Sequence, residues 1–168
     1  MTLSMYQASV PVFIRMLGNL SAILDKAAAH AEAHKIDPTV LLNARLFPNM
    51  LPLTKQIQIA ADFAKGASAR LAGLEVPKYE DNEASFAEFK ARIDKTLAFV
   101  KSLKPAQIDG SEEREINITV AGNPMSFKGM AYLLNSALPN FYFHLATAYD
   151  ILRHNGVELG KRDFIGAA

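Results

Sequence analysis

The stretch from Lys128 to Gly156, KGMAYLLNSALPNFYFHLATAYDILRHNG, constrains this chain more than any other. Apolar residues recur at Leu134, Leu138, Phe141, Leu145, Ala148 and Leu152, the spacing of a helical stripe. The residues between them are mostly apolar too: Leu133, Ala137, Phe143, Ala146, Tyr149 and Ile151. A helix apolar nearly all round is expected to be buried. Two polar residues interrupt it, Asn140 and His144, and their spacing of four puts both on one face. Pro139 directly precedes them. It has no N–H, so the carbonyl of Asn135 is left without its helical partner. Buried polar groups need partners, so a site is expected here.

The remaining sequence places this helix in a bundle. With 168 residues the chain suits a single domain, 1–168, with one core. Half the residues are hydrophobic and the formal net charge is +1, so nothing in the global charge draws it to nucleic acid or an anionic membrane. There are no cysteines, which excludes disulfides, thiolate metal sites and a cysteine nucleophile. The N-terminus lacks the pattern of a signal peptide, and every apolar run is broken before membrane-spanning length. The expectation is a soluble, cytoplasmic protein.

A first helix is expected from about residue 4 to about 35, with Val10, Leu17, Leu24 and Ala31 seven apart. Pro11 should start it or kink it. Asp37–Pro38 reads as an N-cap followed by proline at the first position of a short helix. Leu46, Phe47, Met50 and Leu51 look too apolar for a solvated loop and are expected to fold back over one end of the bundle. A second helix follows from about Pro52 to Ala72, its inner stripe rich in alanine, with Gly73 closing it. A third spans about Asn82 to Leu103, opened by a Ser85–Glu88 capping box. From 114 to 128 the period falls to two, and Ala121-Gly122-Asn123-Pro124 is turn chemistry, so a small β-hairpin is read between the third and fourth helices. Phe164 and Ile165 are expected to pin the tail. The Gly160–Lys161 pair lacks the full P-loop pattern, and nucleotide binding is set aside. The fold class is all-α: a four-helix bundle with one small hairpin.

At the polar spot, His144 reads as a ligand or an acid/base, with Asn140 one turn away and Gln56, Gln58 or Asp62 facing it from the second helix. Equally, His144 and Asn140 can satisfy the kink and each other. His30 and His34, at i and i+4, have metal-ligand spacing but sit in a mixed-charge stretch near a helix end, which fits a solvated face. His154 suits the helix C-terminus. Tyr142 and Tyr149, one heptad apart, fit core packing, a pocket lining or a dimer face. No catalytic carboxylate pair or nucleophile elbow is visible, and the catalytic residues are unknown.

Three segments carry a resemblance: MTLSMYQASVPVFIRMLGNL, ARLFPNMLPLTKQIQIAADFAK and LPNFYFHLATAYDILRHNGVELGKRDFIG. They resemble a bacterial and fungal family of unknown function grouped with the DinB/YfiT-like metalloenzymes. The resemblance spans essentially the whole chain. It implies a DinB-like bundle and often a homodimer. In that superfamily three histidines hold a divalent metal, commonly zinc or nickel: one on the second helix, two on the fourth, four residues apart. His144 matches the second of the fourth-helix pair, and the first falls at Asn140. The second-helix histidine falls near Gln58, or less closely at Gln56. One histidine of three is kept, and an amide oxygen is a weak ligand for zinc or nickel. The resemblance thus implies a degenerate metal site kept as a polar small-ligand pocket, or a dimeric interaction module. The alternative is a divalent-metal-dependent hydrolase or thiol transferase in which His144 ligates and His30 or His34 supplies what the second helix lacks.

Overall fold

The structure, a computed structural model, describes residues 3–120 and 122–166. Helix α1 spans Val10–Ala33. Pro11 lies in its first turn, where a missing N–H costs nothing. The start expected near residue 4 is replaced by turns, closed where the Ser9 hydroxyl donates to the Met5 carbonyl at 2.6 Å. Asp37 caps the short α2, Pro38–Leu42, by accepting from the Thr39 N–H at 2.9 Å. Helix α3 covers Leu53–Ala72 and ends at Gly73, whose φ of 69° is the left-handed region that glycine enters at little cost. Helix α4, Phe86–Ser102, opens with the expected Ser85–Glu88 capping box. A short α5, Pro105–Ile108, leads to strands β1, Glu115–Val120, and β2, Asn123–Lys128. These pair antiparallel with Ile116 opposite Phe127. Ala121, in the expected turn, lies outside the described residues, and Gly122 has a φ of 83°.

The stretch expected as one helix from Lys128 to Gly156 is three pieces. Helix α6, Gly129–Tyr132, passes into a π-helical turn, Leu133–Ala137, and then into α7, Leu138–His154. Within the wide turn the Leu138 N–H reaches back five residues to the Leu133 carbonyl. Pro139 follows at once, where the α-helical ladder would otherwise need its N–H. A last short helix, α8, is Lys161–Ile165.

The four helices of seventeen residues or more form a ring. In it α1 packs on α4, α4 on α3, α3 on α7, and α7 on α1. Their shared core holds Phe13, Leu17, Ile57, Ala60, Ala64, Phe89, Ile93, Phe141 and Leu145, all buried. Alanine on α3 lets α7 approach closely. Between helices, Lys90 of α4 pairs with Asp25 of α1, and Lys26 pairs with Asp163 of α8 at 2.7 Å. Phe164 packs edge-on against Tyr149 and its carbonyl accepts from Asn19, as a pinned tail requires.

Two expectations of burial are corrected. The stretch is not buried all round: Phe143 of α7 is 57% exposed, Tyr142 is exposed as well, and Leu134 of the π-helical turn is 50% exposed. The main partners of α7 are α3 and α1, with Phe164 of α8 against Tyr149, so one stripe is covered and the other faces out. Leu46, Phe47 and Leu51 are also exposed rather than folded over the bundle. Arg45 orders that segment by donating to the carbonyls of Pro48 and Met50.

Candidate functional site

Helix α3 runs antiparallel to the stretch from α6 to α7, since Gln56 near its start meets His144 of α7 and Arg70 near its end meets Tyr132 of α6. Residues 132, 136, 140 and 144 then lie one turn apart along a single edge of the interface. Asn140 and His144 do share a face, but it borders a groove between two helices, not the bundle core.

At one end of the groove His144 Nδ1 lies 2.7 Å from Gln56 Oε1. The amide's orientation is set at its other end, where Gln56 Nε2 donates to the Leu51 carbonyl at 3.0 Å. An oxygen facing Nδ1 can only accept, so the imidazole carries its proton on Nδ1 and its lone pair on Nε2. The ring lies parallel to Phe63, with centroids 6.1 Å apart, and Phe143 meets it edge-on at 5.3 Å. Burial among these groups lowers the His144 pKa, which keeps the ring neutral at pH 7. A neutral imidazole in this tautomer can accept a proton or a hydrogen bond at Nε2.

The other residues expected to surround His144 are distributed differently. Gln56, the less favoured of the two glutamines on sequence, is its partner. Gln58 points to the opposite side of α3, where its Nε2 donates to Glu83 at 2.9 Å. Asn140 does not bond to His144 but turns back to the Ser136 carbonyl at 2.8 Å, beside the π-turn. Asp62 is held by two cations, Arg92 and Lys65, each at 2.9 Å. Arg92 is the hub of that second network. Its side chain is almost wholly buried and also pairs with Asp81 at 3.1 Å and Glu83 at 2.9 Å. Burial alone would raise the Glu83 carboxyl, but hydrogen bonds from Arg92 and Gln58 hold it below the usual range.

His30 and His34 stack on each other with centroids 4.2 Å apart, and His34 Nδ1 contacts the His30 carbonyl. His30 sits in the last turn of α1 beside Gly156, just past α7, and His34 caps the end of α1, away from the Gln56–His144 pair. His154 is exposed in the last turn of α7.

Further along the groove lies a cavity of about 250 Å³, walled by α3, the π-turn and strand β1. Phe63, Ser136, Asn140, Arg70 and Tyr132 face it, and Ile118 and Val120 of the hairpin close one side. Sequence reasoning missed Arg70, Tyr132 and Phe63. The available signal was Gly66, a glycine in the middle of an alanine-rich helix. A Cβ there would come within 2.6 Å of Arg70 Nη1, so this glycine makes room for the guanidinium.

The donor set does not fit a tightly held zinc or nickel. His144 offers one ring nitrogen, the oxygen of Gln56 is engaged with Nδ1, and Asn140, whose Nδ2 donates to the Ser136 carbonyl, offers only an amide oxygen, a weak ligand for these metals. Among the described residues no three His, Cys, Asp or Glu side chains gather closely enough to hold a metal ion. No helix among them is long and apolar enough to cross a membrane.

Comparison with known proteins agrees with the resemblance. Residues 5–165 match the model of a domain of unknown function, DUF1993. The crystal structure of a DinB family member protein from Shewanella denitrificans superposes with a TM-score of 0.88 at 42% identity. The match covers 97% of this chain and 92% of that one. No curated protein matches. A family match over nearly the whole length, joined to that structural likeness, shows that this chain belongs to the DUF1993 family and has a DinB-like fold.

Proposed function

We propose that this protein is a DinB-type four-helix bundle whose metal position has become a polar small-ligand groove between α3 and α7. The observation that carries the reading is the Gln56–His144 bond of 2.7 Å. It uses the nitrogen and oxygen that a metal-binding pair would turn outward, and leaves one neutral imidazole nitrogen on a ring stacked against Phe63, which itself lines the cavity. His144 Nε2 and Asn140 then supply hydrogen bonds to a bound molecule, and Phe63 supplies a flat apolar contact. The Gln58 and Asp62 side chains act at a distance, by fixing α3 against α4.

The test is metal content of the untagged protein by plasma mass spectrometry after equilibration with zinc and nickel, beside His144→Ala. Substoichiometric metal in both proteins is expected. One metal per chain, lost in the variant, overturns the reading in favour of a metal-dependent hydrolase or thiol transferase. The ligand half is tested by a fragment screen followed by amide NMR. Fragments should shift the resonances of Phe63, Ser136 and Asn140, and a screen that moves none of them sinks it.

A second reading, a homodimer, is favoured by the exposed Tyr142 and Phe143 of α7 and Leu134 of the π-turn before it, and by Phe47 and Leu51 beyond α2. Large apolar side chains grouped at the surface mark association sites. Sedimentation equilibrium should give twice the chain mass, and Phe143→Ser should return the monomer. A monomer in the unaltered protein removes this reading.

A further inference from the structure

Within the groove, one cation has no carboxylate. Arg70 is partly buried on α3, and its Nη1 donates to the Tyr132 hydroxyl at 3.0 Å. Among the described residues no Asp or Glu pairs with it, whereas Arg92 of α4, outside this cavity, has three. Asp62 also lines the cavity, but its charge is balanced by Arg92 and Lys65. The uncompensated charge of the cavity is therefore positive.

Three features seat that charge. Gly66 leaves the space in which the guanidinium lies, where an alanine would collide with it. The Tyr132 ring is buried beneath, 5.9 Å from the guanidinium carbon. Burial raises the Tyr132 pKa, so the phenol stays protonated, and having accepted from Arg70 it still has its own O–H to donate. Phe63, Ile59, Ile118 and Val120 give the wall its apolar part, while Thr119, Ser136 and Asn140 add neutral polar groups. A guanidinium without a carboxylate partner, a phenol donor and an apolar surface at Phe63 and the hairpin match a planar monoanion on a small flat body. The volume of about 250 Å³ lies at the small end of ligand pockets.

We infer that the groove binds a small organic carboxylate, its anion held by Arg70 and Tyr132 and its apolar body lying against Phe63 and the hairpin. This rests on the reading of the groove as a small-ligand site, and adds the ligand's charge and which end of the groove holds it. A fork of N–H donors suits a carboxylate, and a lone arginine without a second cation matches one negative charge better than two.

The experiment is a titration with benzoate followed by amide NMR, with benzamide as its uncharged counterpart and inorganic phosphate as the anion without an apolar body. Benzoate should shift Gly66, Arg70 and Tyr132 saturably. Benzamide should bind about tenfold or more weakly, the loss expected for one charge-assisted bond, and phosphate should shift none of them. Arg70→Met should weaken benzoate by a similar factor, with benzamide unaffected. Gly66→Ala should do the same without removing the arginine, because it displaces the guanidinium while the helix gains a better helix former. Equal binding of benzamide, a response to phosphate alone, or indifference to both substitutions overturns the carboxylate. So does failure of benzoate to bind while neutral fragments still shift Phe63 and Asn140, and that result leaves the groove reading standing. A groove that no fragment enters overturns both.

Discussion

Single residues in this protein are constrained by what lies within one atom's reach. Gly129, between the hairpin and α6, is the sharpest case. A Cβ there would stand 1.9 Å from the Ser111 carbonyl oxygen, which is backbone and has little room to move. Gly129→Ala should therefore cost about 3 kcal/mol or more in urea denaturation, the upper end for overpacking. Gly18, in the middle of α1, has nothing within 4 Å of the same position. Gly18→Ala should raise stability by up to about 1 kcal/mol in the same assay, through helix propensity alone. At His144 the constraint is a proton. Its pKa lies below the usual value of about 6.5, so the unfolded chain takes up the proton first as pH falls. The stability tied to the neutral ring is complete above that value and is lost as pH drops through the folded pKa. His144→Phe should flatten the decline in stability between about pH 7 and pH 5. An unchanged slope would show that other groups cause it. Long-range nitrogen NMR should place the ring proton on Nδ1.

At the scale of elements, the network around Arg92 fixes the long segment between α3 and α4. Asp81 and Glu83 belong to that segment, and both bond to Arg92, while Gln58 and Asp62 reach the network from α3. Lys55 adds a bond to Asp81 at 3.0 Å, and Tyr79 lies under Lys65 and Lys95. Removing the hub leaves three carboxylates facing one another. Arg92→Met should cost about 3 kcal/mol, the low end for breaking a buried pair because Asp62 and Asp81 remain open to water. The amides of residues 78 to 84 should then exchange faster, while those of α1 keep their protection. Helix positions were legible in the sequence wherever a local signal marked them: Pro11, Asp37–Pro38, Gly73 and the Ser85–Glu88 box all stand at element boundaries. The period-two pattern from Glu115 also gave the hairpin. The π-turn was not legible, because a widened turn changes one hydrogen bond without altering the apolar spacing around it. The choice between Gln56 and Gln58 depended on the rotation of α3 about its axis, which two residues of one type cannot reveal. Arg70 was hidden because a surface cation and a groove cation look alike until the neighbouring helix is in place.

Across the whole molecule, the burial is uneven. The ring of four long helices holds the fully buried core, and the hairpin contributes little to it beyond Ile116. Most of β1 and nearly all of β2 face outward, with Val120 and Met125 exposed near the tip. Hydrogen exchange should accordingly show two tiers, with slow amides in α3 and α7 and faster ones in β1 and β2. Uniform protection across both would mean that the hairpin is anchored by something beyond its own contacts, a partner subunit for instance. Yet this lightly anchored hairpin supplies Ile118, Thr119 and Val120 to the wall of the cavity. On the small-ligand reading, the residues that shape the ligand's surroundings thus sit on the part of the chain whose replacement disturbs the core least. That reading predicts that exchanging the hairpin sequence changes which small molecule the groove accepts, while the helices that keep the chain folded stay the same.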